Sequence, residues 1–278
     1  MQIESLLFVL LGSVFHLGWN ILIKKSEDKL TFLTLAVFPW SVLIVLFQIQ
    51  ELTLVSNVLS YLIASIFIHA IYFWTLTKAY QFSDLSFVYP FSRGIGSLFT
   101  FLGGVVLLKE KISILGSLGI FLCILATFLG AFEIRRSKDS FATKSLIFTF
   151  LTGLLIASYL VIDKVGVTNS PSRVYLPLML LGTSSTLLPM LFIQKRVIKE
   201  VQSSGMKILI AGFVLFLAYG LILYAMETAP VSYIVAARAS GIIFSAIAGK
   251  VLFEEVIPRL RIISIFVITI GIVLISLA

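Results

Sequence analysis

Ten apolar stretches, each near the length that crosses a bilayer, almost fill this chain and constrain its fold more than any motif does. They run over residues 4–23, 31–50, 57–78, 85–108, 113–133, 144–163, 173–194, 207–227, 231–252 and 260–278. A helix of about 20 mostly apolar residues matches the thickness of the hydrocarbon core. The longest gaps, 133–143 and 194–206, leave no room for a soluble domain. The runs are continuous, whereas strands of a membrane barrel alternate over segments of about ten residues. Composition agrees: 12% of residues are charged and 59% hydrophobic, against about 25% charged in a soluble domain. The sequence therefore predicts an all-α integral membrane protein. Its first run, "MQIESLLFVLLGSVFHLGWN", is expected to be a membrane helix rather than a cleavable signal. It opens with Glu4 and no Lys or Arg, and no small-residue cleavage site follows it.

The net charge of +8 does not point to nucleic acid. Lys and Arg collect in the short gaps, where they act as topology signals. Fifteen of the 21 lie in the odd-numbered gaps, counted from the first, or at the span ends that border them, and four in or beside the even ones. Short basic loops stay in the cytoplasm, so the count places both termini outside. A single Cys, in an apolar run, excludes a disulfide framework. No P-loop, HExxH or CxxC occurs. Asp163 and Lys164 are neighbours at the end of a predicted span, and adjacent residues do not share a helix face. No enzyme activity, metal or cofactor is expected.

The halves of the chain echo each other. A shift of 145 residues lays Arg93 on Arg238, Glu110 on Glu255, and Gly96, Thr100 and Gly104 on Gly241, Ser245 and Gly249. A shift of 140 lays "WNILIKK" on "YLVIDK", with Lys24 opposite Lys164. Five helices per half is an odd number, so the second half enters the membrane the other way up. Such inverted repeats are a transporter signature. The two small-residue stripes, four apart, predict close helix contacts between or within the halves.

Residues that are costly in hydrocarbon mark the candidate site. Pro90 removes an amide donor and frees the carbonyl four residues back. Arg93 lies one turn further on and Arg238 at the matching place in the second half; both need acceptors. Two readings stand: the arginines hold an anionic substrate group, or they snorkel and pair with carboxylates such as Asp84 or Glu227. His16, Trp19 and Asn20 share one helix face, as do His69, Tyr72 and Phe73. With Tyr89, Tyr159, Tyr219, Tyr224 and Tyr233 they are expected to line a cavity with the arginines. Trp40, Tyr61 and Tyr175 are expected in interfacial belts. An aromatic box holds amines, so a zwitterion would suit both ends of such a site.

The segments "HLGWNILIKK", "AYQFSDLSFVYPFSRG", "LLKEKISILGSLGIFLCILATFLGA" and "APVSYIVAARASGIIFSAIAGKVLFEE" resemble the ten-helix EamA-type branch of the drug/metabolite transporter superfamily. The resemblance implies about ten transmembrane helices as two inverted five-helix repeats, residues 1–138 and 139–278. It implies movement of a small metabolite across the inner (cytoplasmic) membrane by alternating access, with both termini inside, against the charge count. Short multidrug relatives couple protons through a glutamate inside the first helix; this first helix offers His16 and Asn20 instead. The expected partners are a small amino-acid-like or aminophosphonate-like solute, membrane lipid and a coupling proton or ion, with the chain acting as monomer or homodimer. The competing reading is a lipid-handling protein of the flippase type.

Overall fold

The structure, a computed structural model, describes every residue except 84, 133–139, 194–195, 245–246 and 248–258. Among the described residues it is helical, with no strand. The helices are α1 (Ile3–Lys25), α2 (Lys29–Phe47), α3 (Leu59–Phe82), α4 (Leu85–Val106), α5 (Ile114–Phe132), α6 (Ser140–Asn169), α7 (Ser172–Ile193), α8 (Arg196–Thr228), α9 (Val231–Ala237) and α10 (Arg259–Leu277). A 3-10 turn, Arg238–Ser240, carries α9 onward. Another 3-10 segment, Ile49–Val58, fills the gap before α3. Among the described residues, six helical stretches are long and apolar enough to cross a membrane, and the apolar helices Ile114–Leu129, Val231–Phe244 and Ile262–Leu277 are shorter.

Each predicted span meets a helix, but two helices outrun theirs. α6 has 30 residues and α8 has 33. Hydrophobicity marks only the part of a helix that lies in hydrocarbon. Beyond it the backbone keeps its helix through good formers such as Lys199 and Glu200. Lys199 there meets Glu27 at 3.4 Å, both exposed.

Helix ends are closed by side chains. Asp28 accepts from the amide of Thr31 at 3.3 Å and caps α2. Glu110 accepts from the amides of Val231 at 2.6 Å and Ser232 at 3.2 Å, at the start of α9. Glu227 accepts from the amide of Ser172, at the start of α7, at 2.7 Å. Two lysines close C-termini. Lys24 of α1 donates to the carbonyls of Tyr80 at 3.1 Å and Ser83 at 2.7 Å, the end of α3. Lys164 of α6 donates to those of Met226 and Ala229, the end of α8. A cation there meets both the unpaired carbonyls and the negative end of the helix dipole.

The principal pairings are α1 with α8, α3 with α6, α4 with α6, α2 with α7 and α8, α3 with α7, and α5 with α10. In lipid no hydrophobic gain drives helices together, so close packing has to. Small residues provide it. A Cβ on Gly119 of α5 would lie 2.7 Å from the carbonyl oxygen of Gly271 of α10, and one on Gly271 would lie 2.8 Å from that of Gly119. Within the predicted stripes, Gly96 packs on Ile156 and Gly153 of α6, Gly104 on Glu110 and Ser232, and Gly241 on the Tyr89 hydroxyl. Thr100 is buried. Ser245 and Gly249 lie outside the described residues.

The outer face is apolar. Phe47, Phe67, Leu107, Ile114, Phe121, Phe192, Ile270 and Phe266 are all exposed. So broad an apolar surface is suited to lipid and not to water. Between the helices lie buried polar residues such as His16, His69, Arg93, Asp163 and Arg238, as a multi-pass membrane protein requires.

Candidate functional site

The interior between α1, α3, α6 and α8 holds a small cavity lined by His16, Trp19, His69, Tyr72, Phe73, Tyr159, Leu180, Leu215 and Tyr219. Its volume is about 20 Å³, room for a water but not for a metabolite. Six of the residues expected at the cavity, His16, Trp19, His69, Tyr72, Tyr159 and Tyr219, meet there. They come together because each sits on the inward face of its helix, where an apolar chain has to gather its polar groups.

One wall is an aromatic cage. The His69 ring lies 4.1 Å from Tyr159 between centroids, tilted by 32°, and 5.7 Å from Tyr219. Tyr72 meets Tyr159 edge to face at 5.2 Å. Behind the cage stands Asp163, fully buried. Its Oδ1 accepts from Ser65 Oγ at 2.5 Å and Tyr175 Oη at 2.9 Å, and its Oδ2 accepts from Tyr219 Oη. Ser65 spends its single proton on Asp163. His69 Nδ1, 3.1 Å from Ser65 Oγ and 3.0 Å from the Ser65 carbonyl, therefore donates. That leaves Nε2 of His69 as an acceptor. A hydrogen-bond chain thus runs from the cavity wall to a buried carboxylate.

On the His16 side, behind the residues that line the cavity, stands a basic wall. Trp19 Nε1 donates to His16 Nδ1 at 3.1 Å, and Arg93 Nη2 addresses His16 Nε2. The Arg93 guanidinium lies 5.4 Å from the centre of the Tyr89 ring. Tyr89 in turn lies 6.1 Å from His16, ring to ring. Arg93 and Arg238 are both buried and near enough for Arg238 to feel the charge of Arg93. Neither forms an ion pair with a described residue. The pairing expected with Glu227 does not occur, since that carboxylate caps α7; Asp84 lies outside the described residues.

Three expected residues stand elsewhere. Asn20 is buried but taken up: it donates to the His16 carbonyl at 2.7 Å and accepts from Tyr80 Oη at 2.5 Å, which ties α1 to α3. Tyr224 is half exposed on the far side of α8, edge to face with Phe8 at 5.2 Å. Tyr233 packs against α5, where its hydroxyl accepts from the Ser113 amide at 3.3 Å. Its neighbours Tyr219 and Tyr89 point inward, and sequence alone does not separate these faces. Tyr175, expected at an interface, is fully buried and serves Asp163. Trp40 joins helices, its indole donating to the Leu209 carbonyl of α8 at 2.9 Å.

Residues 143–277 match the model of the EamA-like transporter family. The chain carries an EamA-like transporter domain. That family is one of transporters, not of enzymes. In the EamA-like half lie Tyr159, Asp163, Tyr175, Tyr219 and Arg238. A solved crystal structure superposes on this chain with a TM-score of 0.80, covering 100% of this chain and 98% of its own at 11% identity. That likeness is one of fold. No curated protein matches the chain.

Proposed function

We propose that the chain is a secondary transporter of a small polar or zwitterionic metabolite, amino-acid-like or aminophosphonate-like, working by alternating access in the cytoplasmic membrane. The observation that carries this reading is the buried constellation of Arg93, Arg238, His16, His69 and Asp163 inside a bundle whose outer face is apolar. Ionisable groups at such depth are costly and serve a transported solute or ion.

In this reading residues 1–138 and 139–278 are inverted repeats about an axis in the membrane plane. Exchange of the halves turns α1 with α8 into α6 with α3, and α2 with α8 into α7 with α3. All four pairings occur, and α2 with α7 and α5 with α10 map onto themselves. Lys24 and Lys164 repeat the same device, a lysine of the first helix in each half closing the third. Two like halves around a polar centre suit a rocking motion. The small cavity fits a closed stage of the cycle, since a solute needs the helices to part. A cavity lined by tyrosine hydroxyls and imidazoles, with guanidiniums behind it, favours a soluble cargo over a lipid tail. The chain acts as a monomer or homodimer, and a proton or other ion drives the cycle.

Purified protein in sealed vesicles tests the reading. Preloading with a panel of amino acids and aminophosphonates should give counterflow of at least one radiolabelled member. Counterflow of none, with a well-folded protein, rejects it.

A further inference from the structure

We infer that Arg93 and Arg238 form an oxyanion subsite, in which a carboxylate, phosphonate or phosphate group sits between one guanidinium from α4 and one from the end of α9. The inference rests on the transport reading only where it takes the oxyanion to belong to the cargo. The observation is a surplus of donors. Arg93 is 6% exposed and Arg238 4%. Nη1 of Arg93 and both Nη1 and Nη2 of Arg238 have no hydrogen-bond partner among the described residues. The buried carboxylate on the far wall, Asp163, is already committed to three hydroxyls.

His16 enlarges the surplus. Trp19 Nε1 and Arg93 Nη2 address its two ring nitrogens, and both groups can only donate. A neutral imidazole accepts at one nitrogen, and an imidazolium at neither. At least one of the two donors is therefore left over. Among the described residues, two buried guanidiniums within each other's field also lack a counter-charge, and a buried charge without one is costly. The ligand that relieves both deficits brings negative charge and acceptors. A guanidinium fork matches the paired oxygens of a carboxylate or phosphonate. A cationic or sugar-like group would add donors where donors already exceed acceptors. The anionic end of a zwitterion then lies on the basic wall, and its amine faces the aromatic cage.

Trp19 is a built-in reporter, because its indole donates to the same imidazole that Arg93 addresses. With Trp40 and Trp74 changed to Phe, Trp19 alone fluoresces. Acetate, methylphosphonate and inorganic phosphate are titrated in neutral detergent, with methylammonium and glucose as controls and short-chain phosphatidylglycerol as the lipid source of the same chemistry. The expected result is a saturable Trp19 response to at least one soluble oxyanion and none to the controls. Arg238→Lys should raise the half-saturating concentration at least tenfold, and Arg238→Gln should abolish the response, both eluting as the parent does. Should the Gln variant not assemble, Arg93→Lys and Arg238→Lys carry the comparison. A response to phosphatidylglycerol alone keeps the subsite and assigns its oxyanion to a headgroup. Silence to every oxyanion, or equal responses in parent and arginine variants, overturns the subsite. If oxyanions bind but no solute moves in vesicles, the transport reading falls and the subsite stands. If a solute moves equally well in parent and Arg93→Gln, transport stands and the subsite falls.

Discussion

At the scale of single residues, Asp163 does most to organise the interior, and the sequence places it poorly. Its apolar run stops at residue 163, so hydropathy puts it at a membrane face beside Lys164. The helix instead continues to Asn169, and the carboxylate turns inward while Lys164 turns to the end of α8. Asp163→Asn replaces an acceptor-only group by one that carries two donors among three hydroxyls. A lost hydrogen bond to a charged group is worth about 1.5–3 kcal/mol. The variant should be less stable by about that amount and melt at a lower temperature in detergent, and an unchanged melting temperature would dismiss the network as a stabilising one. Tyr175→Phe should destabilise for the same reason, whereas Tyr224→Phe, on the outer face, should stay within about 0.5 kcal/mol of the parent. The two tyrosines look alike in sequence. What separates them is the helix face that turns inward, and that is fixed by neighbours distant along the chain.

Elements were far more legible. An apolar run of about 20 residues has few alternatives in lipid, because every backbone group has to be paired within its own helix. That is why all ten predicted runs meet helices. Partnerships between helices were read only in part. Gly96 and Gly104 do sit at close contacts, but the tightest glycine crossing among the described residues of α5 and α10, Gly119 on Gly271, has no stripe of its own to announce it. Leucine at either position would have to displace the facing backbone. Gly119→Leu and Gly271→Leu should each cut the yield of folded protein several-fold, measured by size exclusion in detergent. Gly205 of α8 has open space around it. Gly205→Ala should therefore gain about 0.5–1 kcal/mol from helix propensity alone, read as a higher melting temperature. A drop at Gly205 and no effect at Gly119 would reverse this account of the packing.

For the whole molecule, orientation is the open geometric quantity. Lys24, Lys25, Lys29 and Lys78 all lie near one end of the bundle, where Lys24 closes α3. In the sequence, fifteen of the 21 basic residues fall in or beside the odd-numbered gaps, the first of which holds Lys24, Lys25 and Lys29. By the positive-inside rule this end is expected to face the cytoplasm and both termini to face out, against the orientation the family resemblance implies. Green fluorescent protein fused after Ala278 should then be dark and a periplasmic phosphatase fused there active; a fluorescent fusion gives the opposite orientation. The ties around Asp163 have a consequence for how such a molecule shares its time between shapes. Tyr175 and Tyr219 come from the same half as the carboxylate, but Ser65 comes from α3 of the other. Any shape that slides α3 along α6 gives up the Ser65 bond and keeps the other two. A bond of about 1.5–3 kcal/mol to a charged group weights one shape over the other by about ten- to a hundredfold, since 1.4 kcal/mol is a factor of ten. Ser65→Ala should level that occupancy. Paired spin labels across α3 and α6 would record it as a second distance growing in, and a single unshifted distance would show that the tie carries no such weight.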